Sequence, residues 1–489
     1  MKSAFYFCHD GRLFEKRADA KPLILYHRKI RANTVRCMNF KKLFVSIVCM
    51  CSCCAVLGQN VKLSTLFSDG CVLLQKSNVP VWGTADPGEA VVVSGSWNDE
   101  QVKVTADESG KWIAYLSTPA GGASTYSLKV NDMNVENVLI GEVWICSGQS
   151  NMKFRLGESW DDNWQIKGDN FTDLRFFEVG VKRSDKPLDD VEGFWRYGKY
   201  DNNMQHISAV GYYFGRYLRQ KLNVPVGVIG IYEGGTSAEE WTEKALFDSC
   251  EELKGTYHEA QPVGCLYNGM VAPVLPYKNS GIIWYQGENN VSRQNSYKTL
   301  LELMVEGWRN DFDDPTLPFY IAQLTSYGND DWRTFREIQA DIAGDLRNSG
   351  LAVTIDGGEE SNIHPHKKKI VGDRLAMIAL GRVYGMDEPV SSPVFRKKKI
   401  EGNRLRLYFK YADSGFKVSG DDADIKHFEL CGDDGVYHTA HAVVEGNTIL
   451  LDCPEVKEPK EARYFWKKYD KPNIFTAQGL PIVPFRTEN

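Results

Sequence analysis

Beyond residue 58 the 489-residue sequence contains no Cys-x-x-Cys pair and no His-x-x-x-His spacing, which removes the common zinc frameworks. It has no Gly-x-Ser-x-Gly elbow, which argues against a general lipase or peptidase. Its one long apolar run, Leu43 to Leu57, is too short to span a bilayer comfortably as a helix. Positive charge is also scarce. Residues 1–58 hold 11 of the 58 Lys and Arg but only 3 of the 64 Asp and Glu, so the remainder carries a net charge of −14. An acidic chain of that kind makes a poor partner for nucleic acid. What is plentiful is aromatic: 12 Trp and 23 Tyr suit sugar-stacking surfaces and large β-cores alike.

The amino terminus reads as a leader. Met38-Asn39-Phe40-Lys41-Lys42 is a short basic region, the apolar run follows it, and Val56-Leu57-Gly58 offers a cleavage site before Gln59. The expected start is Met38, and the expected location is outside the cytoplasm, periplasmic or secreted. None of Cys51, Cys53 and Cys54 sits in a convincing lipobox, so neither a lipid anchor nor stable membrane insertion after cleavage is expected. Six cysteines remain in the mature chain. Cys250–Cys265 and Cys431–Cys453 are conceivable bridges that spacing alone does not establish.

From residue 59 to 137 short apolar runs alternate with turns at Asp86-Pro87-Gly88, Ser109-Gly110 and Gly121-Gly122, the pattern of a small β domain. Pro80 confines its run to an edge strand. From 138 to 385 strands alternate with amphipathic segments, which predicts a parallel sheet covered on both faces. The expected strands are Val138–Cys146, Leu174–Val179, Val226–Ile231, Gly281–Gln286, Phe319–Leu324 and Leu351–Ile355. The helical spacing of Val210, Tyr213, Phe214 and Tyr217, and of Leu300, Leu301, Met304 and Trp308, predicts helices over 208–222 and 296–308. A third is expected from about Lys367 to Val383. The polar stretch 153–205, with Trp160, Trp164 and Trp195, reads as a lid or a peripheral insertion. From 386 to 489 the chain returns to β, with Lys397-Lys398-Lys399 on a solvated edge.

Four strand ends carry chemistry-bearing residues. The buried run Val143–Cys146 breaks into Ser147-Gly148-Gln149-Ser150-Asn151-Met152, placing Ser150 at the carboxyl end of a strand, where open α/β sheets put their sites. On its own such a segment is an ordinary turn. His364, in Ile363-His364-Pro365-His366, follows the last strand and faces the same edge. A neutral imidazole there can take the serine proton and return it to a leaving alcohol. His366 is the competing base. Glu233-Gly234-Gly235-Thr236 and Trp284-Tyr285-Gln286-Gly287-Glu288-Asn289-Asn290 end two further strands and offer amide hydrogens for an oxyanion.

Taken in order, these blocks resemble the sialate O-acetylesterase family within the SGNH hydrolases. The likeness extends to Leu66-Phe67-Ser68-Asp69-Gly70, Pro80-Val81-Trp82-Gly83, Tyr267-Asn268-Gly269-Met270 and Gly479-Leu480-Pro481. It implies a flavodoxin-like three-layer α/β/α domain flanked by amino- and carboxyl-terminal β-sandwich-like domains. It implies removal of O-acetyl groups from sugars without metal or other cofactor, on an acetylated carbohydrate of the sialate 9-O-acetyl type. Acetylxylan or another plant glycan is the alternative substrate, and a non-catalytic carbohydrate-binding protein with a degenerate site the alternative class. By this resemblance Ser150 is the nucleophile, His364 the base and Gly235 an oxyanion residue. Gln286 and Asn290 are alternative oxyanion donors. The acid departs from the pattern: Ser361 and Asn362 stand where relatives carry Asp. Asp356, at an expected strand end, is the chosen acid, with Glu359, Glu360 or a plain Ser–His pair as alternatives. A sialate carboxylate would favour a basic neighbour such as Lys153 or Arg155.

Overall fold

The computed structural model describes residues 60–159, 168–199, 204–420 and 424–488, with two short paired strands, Phe5–Phe7 and Leu13–Glu15. The expected leader, Trp160, Trp164 and the adjoining Asp161-Asp162-Asn163 lie outside the described residues. Contacts divide the chain into Met1–Asn60 and Val61–Asn489. No helix among the described residues is long and apolar enough to cross a membrane.

The second unit is mixed α/β, built on seven strands: β1 (Met133–Gly148), β2 (Asn170–Glu178), β3 (Trp195–Lys199), β4 (Val226–Tyr232), β5 (Ile282–Tyr285), β6 (Phe319–Ala322) and β7 (Ser349–Ala352). Their order is β3-β2-β4-β1-β5-β6-β7, parallel throughout except for the antiparallel pair β2/β3. Reading β1, β4, β5, β6 and β7 by chain position gives 2-1-3-4-5, a doubly wound order whose direction reverses beside β1. The continuous apolar runs of β4, β5 and β6 are buried along their whole length, as strands covered on both faces must be. Four helices serve them: α1 (Ala209–Leu222), α2 (Gln294–Asp311), α3 (Arg333–Asp345) and α4 (Lys369–Arg382). They pack in two pairs, α1 on α4 and α2 on α3.

β1 also carries the amino-terminal β region. Its first residues pair with Tyr126–Val130, a bulge falls between Val135 and Val138, and Leu139–Gly141 then pair with Val72–Leu74. The strand therefore runs unbroken through the position where the sequence changes character. Pro80 faces Tyr115 on one side, while the other neighbour reaches only Gly83 and Thr84, so the proline is paired on one side only. In the carboxyl-terminal region Val394–Glu401 is an edge strand and holds the three lysines.

Several expectations need correction. The stretch 153–205 supplies β2 and β3 to the sheet, and Trp195 is buried with its indole N–H donating to Leu66 O at 2.8 Å. The last strand ends at Ala352 rather than Ile355. Helix α3 has no counterpart among the expected helices. The six cysteines of the second unit are buried and unbridged, so neither conceivable disulfide forms.

Candidate active site

Register brings three of these strand ends together. Gly148 lies beside Tyr232 of β4 and Tyr285 of β5, so the residues that follow each strand emerge at one edge. Gly148 has φ +137°, and a Cβ there would stand 2.1 Å from Tyr285 O, so only glycine fits. The chain then turns. Gln149 N–H donates to Tyr285 O at 3.0 Å, and Ser150 opens the single helical turn Ser150–Lys153. Ser208, the N-cap of α1, accepts from Gly211 N–H and donates its hydroxyl to Met152 O at 2.6 Å, fixing that turn against α1.

Ser150 Oγ and His364 Nε2 are 2.8 Å apart, although the residues are 214 positions apart in the chain. With the proton on Nδ1, Nε2 accepts from the serine hydroxyl. The histidine backbone is held on both sides by Asn362, whose Oδ1 accepts from His364 N–H at 3.0 Å and whose Nδ2 donates to His364 O at 2.9 Å. Burial, and secondarily the charge of Lys368, hold the imidazole below its ordinary pKa, favouring the neutral form that a base requires.

Asp356, the chosen acid, is committed elsewhere. Its two oxygens accept from Arg374 Nη1 and Nη2 at 2.6 and 2.7 Å, and Arg374 also donates to Val353 O and Gly479 O. The bidentate fork leaves the carboxylate fastened to α4. Glu359 is taken by His366, with Nδ1 at 2.9 Å, and by Asn362. Glu360 is exposed. Among the described residues no carboxylate is hydrogen-bonded to His364.

The two candidate oxyanion side chains are also engaged. Gln286 is fully buried; its Nε2 donates to Thr236 O at 3.2 Å and to Asn290 Oδ1 at 2.7 Å, and its Oε1 accepts from Tyr297 Oη–H at 3.0 Å. Asn290, equally buried, accepts from Ala238 N–H and donates to Glu239. Both amides therefore hold the loop 236–239 in shape. Gly235, with φ +70°, has open space where a side chain would stand. Its carbonyl accepts from Asn289 Nδ2 at 2.6 Å and from Gln261 Nε2 at 2.8 Å, which fixes the adjoining peptides. A methyl on Gly234 would lie 3.7 Å from Ser150 Cβ, so this glycine pair borders the serine.

Asn151 and Glu288 stand in the sequence blocks without an assigned role, and Lys368 stands outside them. Asn151 Nδ2 donates to Ile363 O at 3.1 Å and to Glu288, while its Oδ1 accepts from Lys368 Nζ. Lys368 sits inside Lys367-Lys368-Lys369, which looks like a solvated run. Its one signal is position, four residues after His364.

Comparison with known proteins follows from this geometry. Residues 140–380 match the family described as carbohydrate esterase, sialic acid-specific acetylesterase. A crystal structure described as a novel carbohydrate acetylesterase from Xanthomonas citri is 31% identical, with a TM-score of 0.80, covering 88% of this chain and all of the other. The sialate O-acetylesterase of Mus musculus is 27% identical over 86% of this chain and 93% of its own length. That of Homo sapiens is 27% identical over 74% and 79%.

Proposed function

This chain belongs to the sialic acid-specific carbohydrate acetylesterase family and is a carbohydrate O-acetylesterase; from that premise we propose that Ser150 and His364 carry the reaction as a two-residue pair. The observation that supports the assignment is the 2.8 Å contact between Oγ and Nε2 at the switch-point edge of the sheet. Strand order and the two helix pairs support a flavodoxin-like three-layer core between 138 and 385, with sandwich-like β domains at 59–137 and 386–489.

Ser150 Oγ attacks the acetyl carbonyl carbon as its proton passes to His364 Nε2. The oxyanion is received by the backbone N–H groups of Ser150 and Gly235. The C–O bond to the sugar breaks, the imidazolium returns its proton to the sugar oxygen, and the acetyl group stays on Oγ. Water then attacks the acetyl-enzyme by the same base, releasing acetate and restoring the serine hydroxyl. Ser150→Ala and His364→Ala are each expected to lower acetate release from a chromogenic acetyl ester by about a thousandfold or more. Turnover within tenfold of the parent in either variant overturns the pair.

Acetylated sialic acid is the first substrate class, from the family's description and from the relatives named sialate O-acetylesterase. A second, neutral acetylated glycans, is favoured by one contact: the Lys153 ammonium is already bonded to Glu233, so a sialate carboxylate would have to displace that partner. Acetate release from 9-O-acetylated sialic acid against acetylxylan separates the two. Export belongs to the same reading, supported by the basic-then-apolar order of residues 38–57. The mature chain is expected to begin at Gln59, and amino-terminal sequencing that finds residues 1–37 on the exported protein refutes it.

A further inference from the structure

Lys368 is a lysine with no exposed surface, 0% accessible, at the residue preceding α4. Burying an ammonium is costly unless strong partners compensate, and an apolar side chain of similar volume would fill the place cheaply. Its surroundings show what it holds. The ammonium donates to Asn151 Oδ1 and stands 4.6 Å over the ring of Phe154 and 5.5 Å over that of Tyr285. Asn151, adjacent to Ser150, passes its own amide hydrogens to Glu288 and to the carbonyl of Ile363, the residue before His364. Glu288 is half-buried, and its second carboxyl oxygen is shielded from water with no hydrogen-bond partner. A cation, an amide and a carboxyl group thus meet where the serine turn, the histidine loop and the turn after β5 converge.

We propose that Lys368 is a positioning residue of the esterase: through Asn151 it locks the turn bearing Ser150 onto the loop bearing His364, and it places a buried positive charge at that junction. The inference rests on the Ser150–His364 reading. Other charged groups on the elements meeting here are paired, Glu359 with His366, Lys153 with Glu233, Asp356 with Arg374, Arg293 with Glu239 and Lys369 with Asp373, while Glu360 and Lys367 lie exposed on the histidine loop. Glu288 is bound through Asn151. Burial holds the His364 imidazole below its ordinary pKa, and the Lys368 charge adds to that shift in the same direction. In a site without a carboxylate on the histidine, a nearby cation keeps the base neutral to lower pH. It also makes the imidazolium, once formed, readier to give its proton to the leaving sugar.

The test is the pH profile of kcat/KM for a chromogenic acetyl ester with Lys368→Met, Lys368→Arg and Asn151→Ala. Lys368→Met is expected to lower kcat about tenfold or more, leave KM within about threefold, and move the acid limb to higher pH. The sign follows from removing a charge that disfavours imidazolium. Lys368→Arg, which keeps the charge, is expected to leave the acid limb in place. Asn151→Ala breaks the tether but keeps the cation, so kcat falls while the acid limb stays. A folded Lys368→Met enzyme with parental kcat and an unmoved acid limb overturns the proposal. If Lys368→Met does not fold, Asn151→Ala decides: parental kcat overturns the tether, a loss in kcat at constant KM supports it. Failure of the underlying reading would show separately, as retained activity in Ser150→Ala.

Discussion

Asp356 and His364 lie eight residues apart in one loop, and the loop sends them to different partners. Arg374 meets Asp356 with both terminal nitrogens, and side-chain exposure on the two is 7% and 19%, so the pair is mostly shielded from water. A fork of that geometry outcompetes a single contact to an imidazole. On the proposed mechanism Asp356 supports the loop and stays out of the proton relay, which separates two quantities that a triad acid would join. Asp356→Asn leaves Arg374 without a full countercharge and is expected to lower stability by about 3 kcal/mol, the scale of a broken shielded pair. It is expected to lower kcat less than tenfold, whereas loss of a true triad acid costs about ten-thousandfold. Urea denaturation beside steady-state kinetics measures both. A thousandfold loss of kcat with unchanged stability would restore Asp356 to the relay.

At the scale of elements, the parallel strands are legible because burial on both faces leaves uninterrupted apolar runs such as Val226–Ile231 and Phe319–Ala322. Their ends were legible because the glycines that close them answer to local sterics, as Gly148 does against Tyr285. Helix α3 was hidden for the opposite reason. Its buried face includes Arg336 and Gln339 beside Phe335 and Ile342, so polarity no longer marks the outside. Arg336 donates to Thr325 O and Lys467 O, and Gln339 Oε1 accepts from Leu324 N–H, contacts that no spacing announces. Trp195 was read as part of a lid or insertion because it lies in a polar stretch. Its ring packs on Phe177 and Tyr277, the latter 82 residues away. The serine and histidine were legible as short blocks at strand ends. The engaged state of Gln286 and Asn290, and the burial of Lys368 among exposed neighbours, depend on what other segments bring to them.

On the scale of the whole molecule, the histidine loop is braced from behind by the carboxyl-terminal β region. Tyr327 N–H donates to Lys468 O at 3.0 Å, Arg374 reaches Gly479 O at 3.1 Å, and Ser326 Oγ reaches Asp470 O at 3.3 Å. Lys471 extends its ammonium to the carbonyls of Asp356 and Gly358, the start of the segment that ends at His366. The proposed base is thus held by a region that contributes none of the proposed reacting groups, and loosening the brace should act on catalysis at a distance. Lys471 is exposed at its base, so its two hydrogen bonds are worth about 1 kcal/mol rather than the larger value of a buried charged bond. A loop released by that amount spends more time away from the 2.8 Å geometry without unfolding the sheet beneath it. Lys471→Met is therefore expected to lower kcat about three- to tenfold and to speed proteolytic cleavage between residues 356 and 367, leaving the urea midpoint nearly unchanged. If kcat and the cleavage rate both match the parent, the carboxyl-terminal region braces the loop through its backbone contacts alone.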